Sequence, residues 1–203
     1  MKHYKPLCFS DRIALFFTKS MRFFADAFFQ KRYGHRAVVL ETVAGVPGMV
    51  AGMWTHLTSL RKMQTGYGPK IRTLLSEAEN ERMHLMTFIH IAQPSRFERN
   101  LIMVAQAVFY NLYFFLYLLA PKTAHRVVGY LEEEAVISYT HYLEEIDAGR
   151  VENVAAPQIA IKYWNLPSTA RLRDVVIVVR TDEAYHRDTN HHFANQIAKG
   201  AHS

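Results

Sequence analysis

Residues 182–186 read DEAYH and stand close behind the β-branched run VVIVV at 175–179. The stretch sets Glu183 and His186 three places apart, where an apolar segment turns polar. On a helix that spacing puts a carboxylate and an imidazole on one face, about one turn apart. The same spacing recurs in NERMHL at 80–85, with Glu81 and His84. Twelve Glu and 11 His in 203 residues give by chance about one such pair or fewer. Two pairs on separate segments point to a shared role, which requires two further carboxylates, each on its own helix.

Both are present. Glu41 in VVLETVAG (38–45) is the only acid of its segment and is flanked by apolar and small residues. GYLEEEAVISY (129–139) offers three neighbouring Glu, and periodicity chooses among them. Steps of three and four from Glu132 collect Val128, Ala135, Val136, Tyr139, Tyr142, Leu143 and Ile146, the apolar stripe, so Glu132 points inward. Glu133 and Glu134 share faces with Thr140, Ser138, His141 and other acids, and are expected toward solvent or in an outer layer. His191 follows the Glu183 stripe beyond the set and is placed no closer than that layer; His125 reads as an ordinary polar or core residue.

Long segments of helical periodicity separated by sparse Gly and Pro give an all-α chain. Six helices are expected, at about 10–30, 36–62, 69–92, 96–119, 122–147 and 170–197. Residues 1–203 form one domain, with a short arm at about 1–9 and a frayed tail at about 198–203. Pro47 lies inside the second helix, beside small residues that allow a close neighbour.

The first and fourth helices are unlike core helices. Ile13, Phe16, Phe17, Phe23, Phe24, Ala27 and Phe28 recur at helical spacing, with Arg12, Lys19, Arg22, Asp26 and Gln30 on another face. NLIMVAQAVFYNLYFFLYLLAP (100–121) carries no charge and is long enough to cross a bilayer. Gln106, Asn111 and three Tyr favour instead a helix lying flat beside the first, on one leaflet of a membrane.

A net charge of +6 comes with no nucleic-acid motif, which leaves acidic lipid headgroups as the partner and excludes nucleic acid. A single cysteine, Cys8, rules out internal disulfides and cysteine metal cages, so a metal here takes Asp, Glu and His. No export signal is evident at residues 1–12, and the chain is expected in a bacterium-like cell, on the cytoplasmic face of the inner membrane.

Glu41, Glu81 with His84, Glu132, and Glu183 with His186 are the donor set of a carboxylate-bridged dinuclear centre: one Glu from each of two helices, and a Glu with a His at i+3 from each of the other two. Two divalent irons balance four carboxylates in a low-dielectric core, and oxidised irons add oxo or hydroxo bridges.

At these residues the chain resembles the alternative oxidases, in a bacterial-type form. LETVAGVPGMV (40–50), NERMHL, LEEEA (131–135) and DEAYHR (182–187) resemble that family's four ligand-bearing motifs in order and approximate spacing. The resemblance implies a ferritin-like four-helix bundle with a di-iron centre and two membrane-facing helices. It also implies a homodimer on one leaflet that oxidises ubiquinol and reduces dioxygen to water, insensitive to cyanide and without pumping protons. It further implies a redox-active or hydrogen-bonding Tyr139, a hydrogen-bond network of Asn80, Asp182 and Trp164 around the ligand histidines, and a quinol pocket at Arg22, Asp26, Arg36, Leu40 and Glu134. The rival reading is a soluble or membrane-associated di-iron hydroxylase or ferritin-like iron protein.

Overall fold

The computed structural model describes residues 3–29 and 33–200. Gln30, residues 201–203 of the tail, and the side chains of Phe24, Ala27 and Phe28 lie outside the described residues, and so do the expectations placed on them. Among the described residues seven helices follow in order: α1 (Phe9–Phe29), α2 (Tyr33–Lys62), α3 (Gly68–Ala92), α4 (Arg96–Leu119), α5 (Pro121–Asp147), α6 (Gln158–Tyr163) and α7 (Leu172–Ala198). Among the described residues there is no strand, only an isolated bridge between Ala155 and Arg171.

Local chemistry sets the boundaries. Gln93 stops α3 in the left-handed region at φ 46°, just before Pro94. Ser95 then opens α4 with a capping box: its side chain accepts from the Glu98 N–H at 3.2 Å, and the Glu98 carboxylate accepts from the Ser95 N–H at 2.8 Å. The run VVIVV lies within α7, where Val175, Val176 and Val179 are fully buried, so tertiary packing overrides β propensity. Six helices were expected, and α6 is the addition. Its six residues, set between Pro157 and Pro167, are too few to show a period.

The bundle is made of α2, α3, α5 and α7, with α5 packed most extensively on α7 and α2 on α3. Gly48 makes the second contact possible: a Cβ there would stand 2.6 Å from the Leu74 carbonyl oxygen. α4 lies across α2 and α5, and α1 lies along α5.

The core falls into two main clusters. One gathers Val38, Phe88, Tyr139, Tyr142, Leu143, Val175 and Val179; the other gathers Val46, Val50, Leu74, Val128 and Phe193. On each bundle helix the acidic residue lies between them in sequence: Glu41 after Val38 and before Val46, Glu183 after Val179 and before Phe193. A polar layer therefore separates two apolar ones.

α2 and α4 are both long and apolar enough to cross a membrane, but more than half of the apolar stretch of α2 is buried, against 22% for α4. Phe97, Met103, Val104, Leu112, Phe115 and Leu119 of α4 face outward, as do Phe9, Phe16 and Phe23 of α1. Such a bare apolar face is far beyond what isolated surface residues explain.

Candidate metal centre

The polar layer brings the six predicted donors together. Glu41, Glu81, His84, Glu132, Glu183 and His186 are all at least 97% buried. Donor atoms of Glu41, Glu81, His84 and Glu183 lie within 4.8 Å of one another. His84 Nδ1 stands 3.2 Å from Glu41, 3.2 Å from Glu183 and 3.4 Å from Glu81. His186 Nδ1 stands 2.6 Å from Glu81 and 3.7 Å from Glu183. Glu132 joins the same group, close enough to Glu183 and Glu81 for their charges to act on its carboxyl.

Four carboxyls and two imidazoles at this depth oppose one another electrostatically. Burial pushes the Glu41 and Glu132 carboxyls well up, and the charges of Glu183 and Glu81 push them further. Burial also works against charge on Glu81, yet His84 and His186 outweigh it and hold that carboxyl well below the usual range. Glu183 is held down likewise by His186 and His84, against its burial and the charge of Glu81. Both imidazoles are raised: burial opposes their charge, and Glu81 with its neighbours overcomes it. The layer thus sets two lowered carboxyls and two raised imidazoles beside two raised carboxyls, a balance struck among the side chains themselves.

That balance leaves atoms unsatisfied. Both carboxylate oxygens of Glu81, both of Glu183, and His186 Nδ1 are buried without a directed hydrogen bond, although nitrogen and oxygen approach to 2.6 Å. An unmet buried polar atom costs about 1–3 kcal/mol. Donors that crowd together without aligning on one another share a common centre, and hard oxygens with imidazole nitrogens suit divalent first-row cations. The residues present fit a dinuclear metal group.

Around them lies a network of hydrogen bonds. Asp182 Oδ2 accepts from Trp164 Nε1 at 2.8 Å and from Asn80 Nδ2 at 3.0 Å, and lies 3.3 Å from His84 Nε2. Protonation of Nε2 leaves Nδ1 free to face the carboxylates. Trp164 caps α6 and stacks on His84 with ring centres 5.7 Å apart, so the helix missed in the sequence is the one that delivers it. The Tyr139 hydroxyl donates to Glu41, and Phe88 stacks on the Tyr139 ring.

Sequence reasoning overlooked Glu77, which lies one turn before Glu81 on the same face. Its buried carboxylate accepts from Asn190 Nδ2 at 2.7 Å, and Asn190 Oδ1 lies 2.9 Å from His125 Nδ1. Burial raises the Glu77 carboxyl to about 7 and lowers the His125 imidazole to about 3. The i−4 spacing from Glu81 was the available signal. Of the two places expected for Glu133 and Glu134, solvent or an outer layer, they take the second, for neither faces solvent. The N-terminal arm and α1 cover them: Glu133 accepts from the Tyr4 N–H of the arm at 2.7 Å, and Glu134 accepts from Arg22 of α1. His191 joins them, its Nε2 3.0 Å from Glu133.

A cavity of about 690 Å³ runs from the α1 and α4 side to the polar layer. Its wall includes Met21, Val43, Pro47, Leu101, Phe109 and Leu131, and Glu41, Glu132 and Glu183 also line it. Arg22, Arg36, Leu40 and Glu134 line it as well. Asp26 does not, but accepts from Arg22 at 3.2 Å and from Arg36.

Residues 1–195 match the sequence profile of the family described as Alternative oxidase. The chain belongs to the alternative oxidase family. Among its relatives, a mitochondrial ubiquinol oxidase of Batrachochytrium dendrobatidis is 62% identical over 96% of this chain and 61% of its own length. Mitochondrial ubiquinol oxidases 1a of Oryza sativa subsp. japonica and Arabidopsis thaliana are each 60% identical over 97% of this chain, and over 58% and 55% of their own lengths. The chain therefore spans about three-fifths of the curated alternative oxidase relatives it matches. These relatives are mitochondrial proteins of a fungus and of plants, which overturns the placement on a bacterial cytoplasmic membrane and does not single out a bacterial type within the family.

Proposed function

We propose that this chain is a ubiquinol oxidase, reducing dioxygen to water at a di-iron centre held by Glu41, Glu81, His84, Glu132, Glu183 and His186. One observation carries the reading: an apolar cavity, opening where the bundle is bare of polar cover, ends on the carboxylates of that centre. The names of the relatives support the substrate. A soluble hydroxylase or iron store has no use for the uncovered faces of α1 and α4. Those faces support a monotopic seat on one leaflet, here of a mitochondrial membrane as the relatives' names favour. Met49, Met53, Leu57 and Leu60 form an exposed row on α2 that offers a second copy its surface, and the chain acts as a single domain in a homodimer.

The cavity wall excludes water and takes the apolar quinol. Arg36 Nε is a buried donor without a partner at that wall; with Arg22 it orients the ring oxygens. Glu134 and Asp26 stand near enough to the arginines to receive the protons the quinol gives up. Tyr139 holds a proton on its hydroxyl against Glu41, at the edge of the centre. Bound iron supplies the electron transfer from quinol to dioxygen. Asp182, Asn80 and Trp164 keep His84 in the tautomer that leaves Nδ1 free. The overall reaction returns as many protons to water as the quinols release, so no charge need cross the membrane.

Oxygen uptake by the purified, iron-loaded protein with a soluble quinol, in the presence of cyanide, tests the reading. Uptake by the parent and none by Glu183→Ala is expected; a parent that consumes no oxygen overturns it.

A further inference from the structure

The N-terminal arm reaches the cavity wall through one side chain. Tyr4 fixes the arm on α5 and α7: its ring stacks on His191 with centres 4.5 Å apart, under the Arg126 guanidinium at 4.3 Å, and its carbonyl accepts from the Tyr130 hydroxyl at 3.1 Å. His3 is thereby held between two neighbouring carboxylates. Its Nδ1 is 2.5 Å from Glu133 Oε2 and its Nε2 is 3.1 Å from Glu134 Oε1. Glu134 divides its oxygens, with Oε1 facing His3 and Oε2 accepting from Arg22 Nη1. Arg22 Nε donates in turn to Asp26, whose other oxygen accepts from Arg36. A continuous chain of polar contacts thus runs from the arm along the wall of the cavity.

We infer that His3 is a positioning residue for the substrate: by holding Glu134 Oε1 it fixes the plane of that carboxylate, and so aims Arg22 and the Arg22–Asp26–Arg36 relay at the cavity. A carboxylate with one oxygen free rotates about its terminal torsion, which is broad and roughly two-fold. Glu134 anchored at both oxygens cannot do so. The geometry assigns the arm a part in substrate recognition although none of its described residues lines the cavity.

The inference rests on the cavity being the quinol site, and the test separates the two. Binding of an oxidised short-tail ubiquinone to the iron-loaded protein in detergent is measured by calorimetry for the parent, His3→Ala, His3→Gln and Arg22→Ala, with melting temperature and iron content beside it. Loss of a hydrogen bond to a charged group leads us to expect about tenfold weaker binding by His3→Ala. KM for quinol should rise accordingly while kcat changes little. His3→Gln, which keeps a donor, should recover most of the loss, and iron content should be unchanged. If Arg22→Ala loses affinity while His3→Ala binds as tightly as the parent, His3 has no such role and the cavity reading survives. If Arg22→Ala binds normally, the cavity reading itself fails. Equal loss in both His3 variants with a lowered melting temperature would make the arm merely structural and overturn the inference too.

Discussion

The Tyr139 hydroxyl donates to the Glu41 carboxylate and so joins α5 to α2 at the rim of the carboxylate layer. Both groups are buried, and both are pushed up by burial and by the surrounding acids, so the proton between them is held by the protein rather than by water. Tyr139→Phe keeps the ring against Phe88 and removes only that hydroxyl. Turnover should fall by roughly 100-fold or more, the range for a lost proton-transfer group, with iron content intact; steady-state oxygen uptake beside metal analysis checks it.

Asp182 lies against the imidazole of His84, one of the proposed metal donors. Asp182→Ala removes the acceptor that fixes the imidazole and leaves Trp164 Nε1 and Asn80 Nδ2 without their shared partner. Metal affinity should drop by about 10–100-fold, read as the chelator concentration that strips half of the bound metal.

Glu77 makes stability depend on pH. Its carboxyl is raised to about 7 in the folded chain from an ordinary 4.5, so the folded state binds the proton more tightly than the unfolded one. That contribution is fully present below pH 4.5 and is lost as pH rises through 7, a span of about 3 kcal/mol. Glu77→Gln, which cannot ionise, should be the more stable chain at pH 8 and show a flatter profile from pH 5 to 8 in urea unfolding of the metal-free protein.

The bare helices predict lipid binding. Phe16→Ser on α1 and Leu112→Ser on α4 replace exposed side chains that touch little else. Each should weaken partitioning onto anionic vesicles by about tenfold, from the transfer energy of a large apolar side chain partly buried in the interface. Flotation with unchanged melting temperature measures it.

Much of this was legible because periodicity reports which side of a helix a residue faces. Glu132 was separated from its two neighbours by counting alone, and the six bundle and surface helices with strong periods appeared close to their expected bounds. What escaped depended on segments without a period. α6 is too short to show one, so Trp164 was placed beside the histidines by the family resemblance alone, and nothing in QIAIKY announced the helix that carries it onto His84. Glu133 and Glu134 lie off the apolar stripe, where counting left solvent and an outer layer both open, and the docking of α1, His191 and an irregular arm, a matter of tertiary packing, decides for the second. Glu77 hid in a segment already rich in acids, where Glu79 is a surface partner of Arg82.

The two greasy layers of the bundle are parted by a band of buried acids whose charges oppose one another. Cohesion between the halves is therefore poorest at mid-height. Were that band to take up the cations proposed above, loading them would draw the two halves together, and chelation of the loaded chain should lower its melting temperature.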